Sequence, residues 1–164
     1  MNTGKTNSRY YDREVVSVTT LTTIPSPVSS GAETMTTTGI LFTVSDAAVP
    51  LKVGDWVNAS GEVRKVVEIN SSTGGRLNEA FTVDLSADTF GIIDGDDLAR
   101  IWAIDFKPIG AANTVIDGID LAAGDTLRIS IPSTDEASVP NQIKPVIIDG
   151  SAAADCEVII NRLT

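Results

Sequence analysis

The 164-residue chain has no histidine and a single cysteine, Cys156. Without imidazole, a Ser-His-Asp triad, a Cys-His dyad and histidine-ligated zinc or haem are all excluded. One thiol cannot make an intramolecular disulfide, a Cys-x-x-Cys redox pair or a thiolate zinc cage. Bases are scarce: 12 Lys and Arg stand against 22 Asp and Glu, a formal charge of −10. Phosphate backbones are bound by neutralising them with Lys and Arg, so specific nucleic-acid binding is not expected. Aromatics make up 5% of the chain, so Val, Ile, Leu and Ala must fill the core that an apolar content of 42% allows. No apolar run approaches the ~20 residues of a membrane-spanning helix, and no membrane partner is expected.

The length suits one domain or two small ones. The opening Met1–Arg9 has no apolar stretch behind it and does not read as a signal peptide, so synthesis in a cytoplasm is the expectation. In that setting the N-x-S sequons at Asn58 and Asn70 read as chance. The charge is uneven. Residues 1–83 hold 8 acids and 7 bases, residues 84–157 hold 14 acids and 4 bases, and Arg162 adds one base near the end. Within the first thirteen residues Lys5, Arg9 and Arg13 face only Asp12. A basic, polar arm on an acidic body can dock on an acidic neighbour, including a copy of itself. The plainer reading is a frayed terminus. On the docking reading, Lys5, Arg9, Tyr10, Tyr11 and Arg13 are the candidate interface residues, because Tyr and Arg are enriched at interfaces.

The remainder reads as all-β. Glu14–Ile24 is β-branched and partly alternating, and Pro25-Ser26-Pro27 ends it. Nine threonines between Thr19 and Thr43 suit an exposed strand face. Strands are expected at Gly39–Val44, Trp56–Val57, Gly61–Ile69, Ala80–Leu85 and Ile101–Phe106. In Phe81–Leu85, strict alternation places Phe81, Val83 and Leu85 on one face. Further candidates are Val115–Ile116, Leu127–Ile131, Pro145–Ile148 and Cys156–Ile160. Asn70–Gly75 is a run of turn formers, and Asp94–Arg100 reads as a turn with a short helical start at Asp96. Leu51-x-x-Gly54-Asp55-x-Val57 recurs as Leu121-x-x-Gly124-Asp125-x-Leu127, either as two related barrel halves or as one turn type used twice. Short strands joined by Gly, Asn and Ser turns point to a small antiparallel β-barrel or sandwich. The expected organisation is an extended N-terminal arm over 1–13, a barrel module over 14–106 and a C-terminal β region over 107–164, either a separate domain or part of the same one.

No catalytic, cofactor-binding or metal-ligating residue is assigned. Asp94-Gly95-Asp96-Asp97 is the densest carboxylate cluster, but its glycine comes too early for a calcium-binding helix-loop-helix and no Glu follows at the twelfth position. It reads as an acidic turn. Gly4-Lys5-Thr6 lacks the strand and helix of a phosphate loop. Cys156 lies in an apolar strand flanked by Asp155 and Glu157, the setting of an inert buried thiol. Trp56 and Trp102 read as core anchors, with a ligand platform as the other reading.

The segment from about Thr37 to Ile93 resembles a β-barrel module of tailed-bacteriophage virion structural proteins. Phe42, Leu51-Lys52-Val53-Gly54-Asp55-Trp56-Val57, the strand Gly61-Glu62-Val63-Arg64-Lys65-Val66-Val67-Glu68-Ile69 and Ala80-Phe81-Thr82-Val83 carry the resemblance. After Phe81 an acidic insertion, Asp84 to Asp97, departs from the pattern. The resemblance implies a non-enzymatic structural protein that is assembled in the bacterial host cytoplasm, resides in the virion, and binds other virion proteins such as the major capsid protein. It implies many copies, hence a homo-oligomer. A capsid decoration or cement role is the first expectation, and a neck or tail connector or baseplate component the second. Two other classes stay open. A carbohydrate-binding β module predicts exposed aromatics. An enzyme using only carboxylates predicts acids with raised pKa sharing a cleft.

Overall fold

The structure, a computed structural model, describes residues 10–18, 22–46, 51–130, 143–150 and 154–162. It divides the chain into two compact units: Thr22–Leu98 with Pro145–Ile147, and Met1–Leu21 with Ala99–Lys144 and Ile148–Thr164. Both are built from strands.

The first unit opens with β2, Thr22–Ile24. A closed antiparallel barrel follows, made of β3 Val28–Thr38, β4 Leu41–Val44, β5 Trp56–Ala59, β6 Glu62–Ser71, β7 Gly74–Leu77 and β8 Asp88–Ile93. Their order around the wall is β3-β4-β7-β6-β5-β8. Period-two alternation decides what faces inward. In β4, Phe42 and Val44 are buried while Leu41 and Thr43 are exposed. Met35, Phe42, Val57, Ala59, Val66, Leu77 and Phe90 form the barrel core. Burying each large side chain contributes about 1.5–3 kcal/mol. On β3, Thr36 and Thr38 face solvent as expected, whereas Thr37 is buried.

Two expectations fail in this unit. Phe81–Leu85 is not a strand: it is an irregular segment, here called the plug, that buries Phe81 and Leu85 in the barrel core and leaves Val83 74% exposed. Thr37 N donates to Leu85 O (3.0 Å), and side chains of neighbouring strands satisfy more of its backbone in place of a full ladder. Thr82 N donates to Glu62 Oε1 (3.1 Å), Leu85 N donates to Thr37 Oγ1 (2.8 Å), and Ala80 O accepts from Arg64 Nε (2.7 Å). The Arg64 guanidinium lies over the Phe81 ring, 5.1 Å from its centroid. The second correction concerns the acidic insertion. It contains β8, which pairs with both β3 and β5 and closes the barrel. Its apolar signal, Phe90, Ile92 and Ile93, is short, interrupted by Gly91 and bracketed by acids.

Asn70–Gly75 is mostly strand rather than loop, for β6 runs to Ser71 and β7 starts at Gly74. Gly75 is there because nothing larger fits. A Cβ would lie 2.1 Å from the Glu68 carbonyl oxygen and 2.9 Å from the Phe42 ring.

The short helix α1, Gly95–Arg100, matches the helical start expected near Asp96. The second unit holds a four-stranded antiparallel sheet of β1 Tyr10–Val18, β9 Ile101–Pro108, β12 Leu127–Ser130 and β14 Ala154–Arg162. Its order is β1-β14-β9-β12. Ile104, Phe106, Cys156, Val158 and Ile160 are buried on one face. β10 Thr114–Ile116 and β11 Ile119–Leu121 form a hairpin, with both turn residues at positive φ, Asp117 at 46° and Gly118 at 82°. That geometry matches strand twist. β10 also pairs with β13, Val146–Gly150.

The N-terminal strand begins earlier than Glu14: residues 10–13, read as part of an arm, belong to β1 and pair with β14. The division also falls elsewhere than after residues 13 and 106, since β1 and β9 pair with strands distant in sequence.

The recurring Gly-Asp pattern is one turn used twice. Asp55 N donates to Lys52 O (3.2 Å) and Asp125 N to Ala122 O (3.1 Å), with Gly54 and Gly124 at φ 102° and 92°. In each turn the Asp carboxylate accepts from the first residue's amide, at 2.9 Å in both. Each turn feeds a strand, β5 or β12. β5 pairs with the strand that follows it, β12 with one that precedes it, so the repeat is local turn chemistry and not a duplicated half.

Candidate functional site

The face of the four-stranded sheet opposite its buried side carries an array of charged side chains. Alternation puts Asp105 and Lys107 of β9, Arg128 of β12, and Glu157 and Ile159 of β14 on this face. Register aligns them in rows. Ile159, Asp105 and Arg128 form one; Glu157 and Lys107 form the next. On β1, Arg13 is the register partner of Ile159 and Tyr11 that of Asn161.

Asp105 is the electrostatic centre of the face. Arg128 donates to it through Nε (2.5 Å) and Nη2, and Asn161 Nδ2 donates at 3.1 Å. A forked guanidinium–carboxylate pair of this kind is both strong and directional. The Arg128 guanidinium, and after it the Asn161 amide, hold the Asp105 carboxyl below the usual carboxylate range against partial burial. Arg128 also stands 5.9 Å from the centroid of the half-buried Trp102 ring. Beside this pair lies a groove of about 370 Å³, lined by Lys107, Thr126, Leu127, Arg128, Glu157 and Ile159 among others. Lys107 is exposed and makes no ion pair among the described residues. The groove offers cationic and hydroxyl donors beside apolar surface, which suits recognition of an acidic, partly apolar group.

The acidic turn at Asp94–Asp97 holds its own cation. Lys52 Nζ lies 2.5 Å from Asp96 Oδ2 and 3.0 Å from Asp94 Oδ1. Bonds to Asp96 and then Asp94 push the Lys52 ammonium pKa up, while Lys52 and the Asp96 amide hold Asp94 below the usual range. Among the described residues no group of three or more His, Cys, Asp or Glu is disposed to hold a metal ion. Cys156 is buried, and burial pushes its thiol pKa up, the opposite of an activated nucleophile. Trp56 is 7% exposed.

Of the five candidate interface residues, Lys5 and Arg9 lie outside the described residues. Tyr10, Tyr11 and Arg13 stand on β1 at the edge of the sheet that carries the groove. Sequence reading missed Asp105, Lys107, Arg128 and Glu157. The available signal was a charge at alternate positions of three strands, but which strands pair is not written locally.

No family model matches the chain. No curated protein and no solved structure matches it either.

Proposed function

We propose that this chain is a non-enzymatic structural protein of a tailed-bacteriophage particle. It binds other virion proteins, the major capsid protein among them, in multiple copies, as a capsid decoration or cement protein. One observation carries the reading. The strand residues of the virion-module resemblance all belong to a single closed barrel: Phe42 in β4, Gly54-Asp55-Trp56-Val57 entering β5 and Glu62–Ile69 in β6, with Ala80–Val83 outside its strands. A motif whose strands share one barrel is better support for a module than the same residues scattered over a fold. The charged sheet face and its groove provide a surface for partners.

The competing classes are less well supported. A carbohydrate platform uses exposed aromatics, but Trp56 is buried and Trp102 lies under Arg128. Carboxylate-only catalysis uses an acid with raised pKa, whereas Asp94 and Asp105 are both held ionised by cations.

Mass spectrometry and cryo-electron microscopy of particles from a phage encoding this chain test the proposal. Copies following the capsid lattice are expected. A single ring at the neck or tail would move the protein to the connector or baseplate role, and absence from the particle would sink the virion reading. Removing residues 1–9 leaves β1 whole and tests the basic arm: particle binding should fall, and unchanged incorporation would rule the arm out.

A further inference from the structure

Residues 84–157 contain only four bases, Arg100, Lys107, Arg128 and Lys144. Two of them, Lys107 and Arg128, line one groove on an otherwise acidic stretch of chain. The same unit presents a complementary protrusion. At the tip of the β10–β11 hairpin, Ile119 is 48% exposed between Asp117 of the turn and Asp120. Asp120 and Asp149 both stand opposite Val115, which extends the acidic character across the small sheet.

We propose that the groove between β9, β12 and β14 receives the β10–β11 hairpin tip of a second copy of this chain. Ile119 rests on Ile159, and Asp120 faces Lys107. The inference rests on the many-copy reading above. Charge argues for the occupant. Copies carrying −10 each repel unless opposite patches meet, and the groove supplies the positive patch while the hairpin supplies the negative one. Asp105 is matched by Arg128, which leaves Lys107, Thr126 and the apolar floor to recognise the incoming tip. Glu157, the register partner of Lys107, sets a limit on how much negative charge the groove accepts. Because groove and tip are different patches, the contact is head-to-tail and builds a ring if the rotation closes, or a filament if it does not.

Sedimentation velocity of the full chain over a range of concentrations tests this. The unmodified protein should self-associate, and more weakly at high salt. Lys107→Glu and Asp120→Lys should each weaken association by about tenfold or more, and Ile119→Ser should weaken it as well. The combined Lys107→Glu/Asp120→Lys variant should recover most of the association. Circular dichroism checks that each variant keeps its strands, and recovery in the double variant cannot come from misfolding. A protein monomeric at every concentration, single variants that associate undiminished, or a double variant no better than the singles would each overturn the contact. A chain found in particles without charge-swap recovery sinks this contact alone. Recovery in a chain absent from particles sinks the virion reading alone.

Discussion

Asp55 accepts hydrogen bonds from the amides of Lys52 (2.9 Å) and Gly95 (3.0 Å) with 2% of its surface exposed. Its counterpart Asp125 makes the Ala122 bond in the open. Removing a buried acceptor strands its donors at about 1–3 kcal/mol each, whereas water replaces an exposed one. Asp55→Ala should therefore cost about 2–4 kcal/mol in urea denaturation, and Asp125→Ala under about 1 kcal/mol. Lys52 makes a second residue-scale prediction. Its ammonium sits between Asp94 and Asp96, so a chelator should leave the thermal midpoint unchanged; a fall would establish a structural cation. Asp105 sets a pH dependence. Its pKa is depressed in the fold, so its contribution is present above the ordinary value of 3.8 and is lost as pH falls through the folded value. Between about pH 5 and pH 2, urea midpoints of Asp105→Asn should decline less steeply than those of the unmodified protein.

Among the elements, the plug is the one whose sequence pattern misleads. Phe81, Val83 and Leu85 alternate as a strand does, yet only Phe81 and Leu85 enter the core. The competing influence is tertiary: Thr37, Glu62 and Arg64 present partners for an irregular backbone. Thr37→Val keeps the shape and removes the acceptor for Leu85 N. It should cost about 1–3 kcal/mol and abolish the slow hydrogen exchange expected at the Leu85 amide; exchange that stays slow would show that the plug is held otherwise. β7 makes the converse case. Its glycines read as a loop, but Phe42 and the Glu68 carbonyl crowd Gly75 so closely that only glycine can form the strand. β6, β9 and β14 were legible as runs rich in Val and Ile bounded by turn formers, and β5 by the Gly-Asp turn that feeds it, although β5 and β9 bury consecutive residues and do not alternate cleanly. β8 was not, because three apolar residues and a glycine between acids carry too little periodic signal.

For the whole molecule, the pI near 4.3 predicts a solubility minimum there, where self-repulsion vanishes; light scattering across pH would show it. The all-β class, the small barrel, the acid-rich later half and the buried, inert Cys156 were written in the sequence, because composition and period-two patterning act locally. The pairing of Tyr10–Val18 with Ala154–Arg162, the closure of the barrel by β8, and the meeting of Asp105, Lys107, Arg128 and Glu157 on one face were decided only by tertiary structure. Antiparallel register is set by the summed burial of both strands of a pair, and those strands lie up to the length of the chain apart. No local window contains both partners, so the groove they form becomes visible only once the sheet has assembled.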